Sequence, residues 1–470
     1  MPRPPGLDHR PESFDLVFRA VDPSTGRTIS EHPLASPTEV ERRIARAQRA
    51  YEDWSRGGFA YRARFLGELA RLLRRERGRL SRLMAVEMGK PVTQGVGEID
   101  KCADCCDYYA DNAAAMLNAV EAPTAATRSY WCYRPIGPVL GIMPWNFPFW
   151  QVVRFAAPTL ALGNSVVVKH APSVPGCALA LARLFQEADF PEGVYTNLFC
   201  DDETTGSLIA DPRIRAVSLT GSVRAGRAVA AKAGRAVKKC VLELGGSDPA
   251  IVLEDADLGH AVEAVTWGRM RNAGQSCIAV KRIIVLDKVR DSFEAALASR
   301  LREMRLGDPL EPTTDIGPMA RIDLRDELHK QVSDSVAKGA RPRLGGGPPD
   351  PRGAWYPTTL LAEVGPGMAA YEEELFGPVA VTIGARDEED AVSIANDTDF
   401  GLGASVFTSD LERGERIARE RLEAGNCFVN RAVESVVNLP FGGIKESGYG
   451  RELSPLGITE FANVKTVYVE

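Results

Sequence analysis

The 470-residue chain has no run of about eighteen apolar residues, the length a helix needs to cross a bilayer. Its opening, Met1-Pro2-Arg3-Pro4-Pro5-Gly6, lacks the apolar core of a secretion signal, so a cytoplasmic protein with no membrane partner is expected. There is no basic surplus either. Lysine and arginine total 57 against 63 acids, a net charge of -6, which argues against a nucleic-acid partner. The densest basic run, Arg71 to Arg82, is interleaved with leucines at helical spacing and reads as the wet side of an amphipathic helix. The nine cysteines are odd in number and scattered, unlike a disulfide framework, and fit a reducing compartment. Histidine is scarce, at five. Cys102, Cys105 and Cys106 therefore lack a fourth ligand nearby in sequence, and buried packing is expected there rather than a metal. Repeats, low-complexity tracts, a Walker loop and a G-x-G-x-x-G are all missing.

What is present is a pattern of alternation. The length implies two or three domains. After Ser36-Pro37-Thr38-Glu39, a helix start, the spacing predicts helix with few breaks to about Leu117. From Val139 short apolar runs alternate with helices: strands near Val139 to Met143, Asn164 to Lys169, Gly193 to Cys200, Ile214 to Thr220 and Cys240 to Leu244, with helices between them. That alternation predicts an α/β fold with a Rossmann-like, doubly wound parallel sheet, whose ligands bind at the carboxyl ends of the strands. Residues 1–121 and 138–244 are assigned to this domain and 245–440 to a second α/β domain. The segments 122–137 and 441–470 are read as bridging or oligomerisation pieces. Their strands, Tyr130 to Pro135 and Val464 to Val469, have no partner in either domain, and such edges must be covered. They are expected to pair with one another or with a neighbouring subunit.

Several stretches carry chemistry. Val241-Leu242-Glu243-Leu244-Gly245-Gly246 ends an apolar run on a carboxylate, and Gly274-Gln275-Ser276-Cys277 places a lone thiol thirty-four residues after it. A thiol and a carboxylate can form a thioester and then hydrolyse it; each alone is weak, since a buried structural cysteine is common. Thr220-Gly221-Ser222 follows a strand and opens a helix, a weak signal for phosphate contact. Asn146, in Pro144-Trp145-Asn146-Phe147-Pro148, is a turn-maker or an oxyanion donor. Lys169 should emerge above the sheet, and Glu373 to Val379 reads by itself as a solvated loop.

Taken together, Pro144 to Pro148, Leu242 to Gly246, Gly274 to Cys277, Glu374-Leu375-Phe376-Gly377-Pro378-Val379 and Pro440-Phe441-Gly442-Gly443-Ile444-Lys445-Glu446-Ser447-Gly448 resemble the signature set of the aldehyde dehydrogenase superfamily, in the family's order and over essentially the whole chain. The resemblance implies Cys277 as nucleophile, Asn146 and the Cys277 backbone N–H as oxyanion donors, and Glu243 as the base for hydrolysis. It also implies NAD or NADP as cofactor. Lys169 would meet the adenine-side ribose, Gly221 and Ser222 the pyrophosphate, and Glu374 with Phe376 the nicotinamide ribose, with Trp145 and Leu244 adding backbone and packing. Strictly NAD-using members often carry Glu where this chain has Pro172. A carboxylate there would repel a 2′-phosphate, so its absence implies that NADP is accepted.

Arg154, eight residues after Asn146, and Arg271, six before Cys277, flank the catalytic motifs. Each pairs with a structural carboxylate or clamps the distal carboxylate of a semialdehyde. Both positions, with Ser435, match the substrate-carboxylate positions of succinate-semialdehyde dehydrogenases, and Gly317-Pro318-Met319-Ala320-Arg321 resembles the bacterial branch. The expected substrate is succinate semialdehyde or a close ω-carboxylate aldehyde. The alternatives are a glutarate-semialdehyde or broad-specificity enzyme, a CoA-acylating one, and a silent scaffold on the same fold. A homodimer or homotetramer is expected. Ala279 stands where some members carry a second, regulatory cysteine, so no disulfide switch is implied.

Overall fold

In the computed structural model, residues 17–470 are described; Met1 to Gly6 lie outside them. The long helical region resolves into three helices, Pro37–Trp54, Phe59–Met88 and Val92–Met116. Ser36 caps the first, its hydroxyl accepting the Glu39 N–H at 3.2 Å. Gly89, left-handed at φ 77°, ends the second. Leucines of the Arg71 to Arg82 run face the core and its arginines face water, several paired with Glu68, Glu76, Asp100 and Asp104. Cys102, Cys105 and Cys106 are fully buried on the third helix, within the largest apolar core.

The predicted alternation from Val139 forms a six-stranded sheet in the order Gly448–Tyr449, Lys239–Glu243, Ala216–Thr220, Val139–Ile142, Val166–Lys169, Tyr195–Asn197. All neighbours are parallel except Gly448–Tyr449, which runs antiparallel with Gly448 opposite Glu243. The chain steps outward from Val139–Ile142 in one direction, then returns to its other side with Ala216–Thr220. That reversal opens a crevice at the carboxyl ends of these strands. Out of those ends come Trp145 and Asn146, Lys169, Gly221 and Ser222, and Glu243 with Leu244.

A second sheet of seven strands runs Arg341–Leu344, Thr359–Ala362, Val379–Ala385, Val280–Leu286, Asp248–Val252, Gly403–Phe407, Asn426–Val429, antiparallel only between its first two. Its central strands are buried throughout, as a sheet covered on both faces requires. The two unpartnered strands pair with one another: Arg128–Pro135 lies antiparallel to Ala462–Val469, Pro135 opposite Ala462 and Arg128 opposite Val469, with Val120–Glu121 added on the far side. The tail beyond residue 440 does more than bridge. It also gives a strand to the first sheet, and Ile444–Lys445 pairs with Phe400–Gly401.

Candidate active site

The helix Leu258–Met270 delivers the chain to Cys277 through a tight reversal. Asn272, Ala273 and Gly274 are successively left-handed, at φ 58°, 52° and 71°. Only glycine fits the third position, because a Cβ there would lie 2.2 Å from the Gly377 carbonyl oxygen. Arg269, fully buried, locks that approach by donating to the carbonyls of Gly274 at 3.2 Å, Leu375 at 2.7 Å and Val379 at 2.6 Å, and to that of Gly377. The Cys277 loop is thereby tied to the loop carrying Glu374 and Phe376. Lys281, also buried, donates to the carbonyls of Ser276 at 2.8 Å and Cys277 at 2.7 Å while its ammonium lies 3.1 Å from Glu374.

Asn146 is presented by the turn after Val139–Ile142. Its backbone carbonyl accepts from Lys90 Nζ at 2.9 Å and Asn272 Nδ2 at 2.8 Å. Lys90 pairs in turn with Glu98, whose second oxygen accepts the N–H groups of Phe149 and Trp150 at the next helix's start. The Asn146 side-chain amide gives one N–H to the Gln275 carbonyl at 3.1 Å, so its second N–H is free to donate. Glu243 is 1% exposed and neither of its carboxylate oxygens has a partner.

Burial pushes the Glu243 carboxyl up to about 8, with Arg154 pulling down and Glu452 pushing up. Burial likewise pushes the Cys277 thiol up to about 12, opposed by Arg154 and Lys281 and reinforced by Glu243 and Glu374. Both groups hold their protons at neutral pH in this geometry. A buried acid within electrostatic reach of a half-buried thiol is what a site needs if the acid, once ionised, takes a proton from the thiol or from water.

Cys277 opens onto two cavities. One, of about 550 Å³, is lined by Lys101, Trp150, Arg154, Arg271, Ser435 and Phe441. Here the two arginines part ways. Arg154 makes a buried ion pair with Glu452 and lies over the Phe441 ring, as the structural account of it expected. Arg271 has no carboxylate partner among the described residues; it stacks against Trp267 and Phe147, at 4.6 and 5.6 Å from the ring centroids. Ser435 lies between Lys101 Nζ, at 2.7 Å, and Trp150 Nε1, at 3.1 Å. Lys101, Lys281, Lys90 and Arg269 did not stand out in the sequence, because each reaches the site from another element and none sits in a motif.

The second cavity, of about 320 Å³, is lined by Trp145, Asn146, Gly221, Ser222, Glu374 and Phe376, with Leu244 at its wall. Its donors suit a dinucleotide. Ser222 caps the helix Val223–Arg235, whose positive end faces an anion. The Thr220 hydroxyl is buried there without a partner, and Glu374 is held by the Gly246 N–H at 3.1 Å, able to accept from a ribose. Phe376 meets Trp145 edge-on at 5.8 Å. Lys169 and Pro172 lie outside this cavity's lining, Lys169 nearly buried and 3.3 Å from Asp202, Pro172 exposed.

The sequence profile of the Aldehyde dehydrogenase family matches residues 10–467. The succinate semialdehyde dehydrogenase (NAD(P)+) Sad of Escherichia coli strain K12 is 45% identical over 449 residues, covering 96% of this chain and 97% of that one. An NADP(+) succinate-semialdehyde dehydrogenase of Deinococcus radiodurans is 44% identical over 463 residues, covering 98% and 96%. Among solved structures, the succinic semialdehyde dehydrogenase of Streptococcus pyogenes in complex with NADP+ superimposes with a TM-score of 0.94 at 36% identity, covering 96% of this chain and 99% of that one.

Proposed function

The chain belongs to the aldehyde dehydrogenase family, and from that premise we propose that it oxidises succinate semialdehyde, or a close ω-carboxylate aldehyde, to the acid, with NAD or NADP. Cys277 Sγ forms a bond to the aldehyde carbon while its proton passes to ionised Glu243. The new oxyanion accepts from the free Asn146 N–H and the Cys277 backbone N–H; a donor of this kind is worth roughly 3 kcal/mol. A nicotinamide held in the second cavity by Glu374 and Phe376 would supply the acceptor for the hydride that leaves the tetrahedral carbon. Glu243 passes the thiol's proton to solvent, and the thioester left on Cys277 is then hydrolysed by a water whose proton Glu243 takes, the Cys277 sulfur leaving as the acid forms and regaining that proton. Trp145, Gly221, Ser222, Leu244, Glu374 and Phe376 line the dinucleotide, with Lys169 on the adenine side.

The observation that carries the substrate assignment is the Arg271 guanidinium, which lines the Cys277 cavity and makes no ion pair with a carboxylate among the described residues. A half-buried cation of this kind is stabilised by an anion brought in by the substrate. Ser435 lies beside it. Arg154, already held by Glu452, shapes the field around Cys277 and gives the clamp its charge at a distance rather than a contact. We also assign a homodimer or homotetramer, supported by the apolar edge strand Ala462–Val469, and a cytoplasmic setting, supported by nine unpaired cysteines.

A steady-state panel tests the reading: succinate semialdehyde, glutarate semialdehyde and plain aldehydes, each with NAD and NADP. The ω-carboxylate aldehydes are expected to lead by tenfold or more, and Arg271→Ala to remove about 2 kcal/mol of that lead. Equal kcat/KM for charged and uncharged aldehydes would refute the assignment.

A further inference from the structure

The wall of the Cys277 cavity carries a second cation that no motif announced. Lys101 projects from the helix Val92–Met116, and among the described residues no carboxylate pairs with it. Its ammonium lies 4.6 Å above the Trp150 ring and donates one N–H to Ser435 Oγ at 2.7 Å. An ammonium has three donors. One is spent on Ser435, and the ring face occupies one flank, which leaves an N–H for the cavity that Lys101 lines beside Cys277.

Ser435 sharpens the point. Its hydroxyl oxygen accepts from both Lys101 Nζ and Trp150 Nε1, so both lone pairs are used. The hydroxyl hydrogen can therefore only donate, and a carboxylate is the acceptor that also satisfies two neighbouring cations. The charged groups facing Lys101 are Arg271 and Arg154, from two other elements, and Glu434 from the loop bearing Ser435. On its own helix are Cys102, whose thiol burial keeps neutral, and Glu98, which is committed to Lys90.

We propose that Lys101 is a substrate-binding residue, holding the distal carboxylate of the aldehyde together with Arg271 and the Ser435 hydroxyl. The proposal rests on the ω-carboxylate reading above and deepens it: the second positive charge of the clamp comes from the third helix, since Arg154 is engaged by Glu452. It also brings a pH dependence that a pair of arginines would lack. Burial, and then the repulsion of Arg271, lower the Lys101 ammonium to about 7 in the empty cavity. An arriving carboxylate favours the protonated form, so tight binding requires a proton that is lost in mild alkali.

The test reads selectivity, the ratio of kcat/KM for succinate semialdehyde to that for butanal, at saturating NADP. Using a ratio cancels the titrations of Glu243 and Cys277, which both substrates share. Lys101→Met is expected to lower the ratio about 30-fold, the scale of a hydrogen bond to a charged group. Lys101→Arg is expected to retain most of it. In the wild type the ratio should fall as pH rises from 6 to 9, and in Lys101→Arg it should stay level, because guanidinium does not titrate there. A Lys101→Met ratio within about twofold of wild type overturns the role of Lys101 and leaves the ω-carboxylate reading standing. A wild-type ratio near one overturns both. If the methionine variant fails to fold, the wild-type and arginine pH profiles decide alone: parallel profiles reject the proposal.

Discussion

Glu243 shows how a single side chain trades stability for chemistry. Its carboxyl is buried without a hydrogen-bond partner and titrates at about 8. A base must be ionised to act, so kcat is expected to rise about tenfold per pH unit below 8 and to level above it. Glu243→Gln should remove that limb and give no stoichiometric burst of reduced cofactor, because Glu243 takes the Cys277 proton before the thioester can form. Stability should move the other way. The folded-state pKa lies above the unfolded carboxylate value, so between about 4.5 and 8 the folded state keeps a proton that the unfolded state releases. Stability is therefore lost as pH rises through that window, and the glutamine variant, which has no such proton, should show the higher Tm at pH 8 by calorimetry. Pro172 is a second case. Pro172→Glu places a carboxylate three residues past Lys169, and it should weaken NADP by tenfold or more while affecting NAD far less. An unchanged NADP-to-NAD ratio of kcat/KM would show that the 2′-position lies elsewhere.

At the scale of elements, the turn that presents Asn146 is held by a buried ion pair one helix away. Lys90 bonds the Asn146 carbonyl and pairs with Glu98, and Glu98 accepts the first two N–H groups of the helix Trp150–Leu162. Removing one partner leaves the other charged and buried, a loss of about 3–5 kcal/mol. Lys90→Met should therefore lower Tm, and in the folded fraction it should lower kcat more than it raises KM, since the oxyanion donor moves while the carboxylate clamp does not. A fall in Tm with unchanged kcat would confine the pair to stability. This pair also marks the limit of reading the sequence alone. Asn146, Glu243 and Cys277 were legible because each lies in a run whose local wording is distinctive, at a strand end or a turn. Lys101 and Arg269 lie in ordinary helical stretches, and Lys90 in the short link between two helices. Their roles depend on where carbonyls some five to more than a hundred residues away come to rest, for Arg269 from Gly274 to Val379. The first sheet was readable from its alternation. The second was less so, because Thr359–Ala362 and Gly403–Phe407 are short strands buried on both faces, with no polar face to give a period of two.

For the whole molecule, the three-stranded sheet made by Arg128–Pro135, Ala462–Val469 and Val120–Glu121 is the feature a lone chain explains least. Its outer strand, Ala462–Val469, has one neighbour only, and Val464, Tyr468 and Val469 are 57%, 53% and 44% exposed. An open edge with apolar side chains invites pairing with another strand. If that edge is the seam between subunits, Val464→Lys with Tyr468→Lys should lower the mass in solution toward the 51.0 kDa of one chain, as light scattering would report. Both positions lie on a strand remote in sequence from Cys277 and Asn146, so any activity lost on dissociation would reflect the assembly steadying the strand Gly448–Tyr449 against Glu243, through the short Ser454–Thr459 helix that connects it to the edge. A wild-type mass of one chain, or a charged double variant that keeps a larger mass, would place the subunit contact on another face.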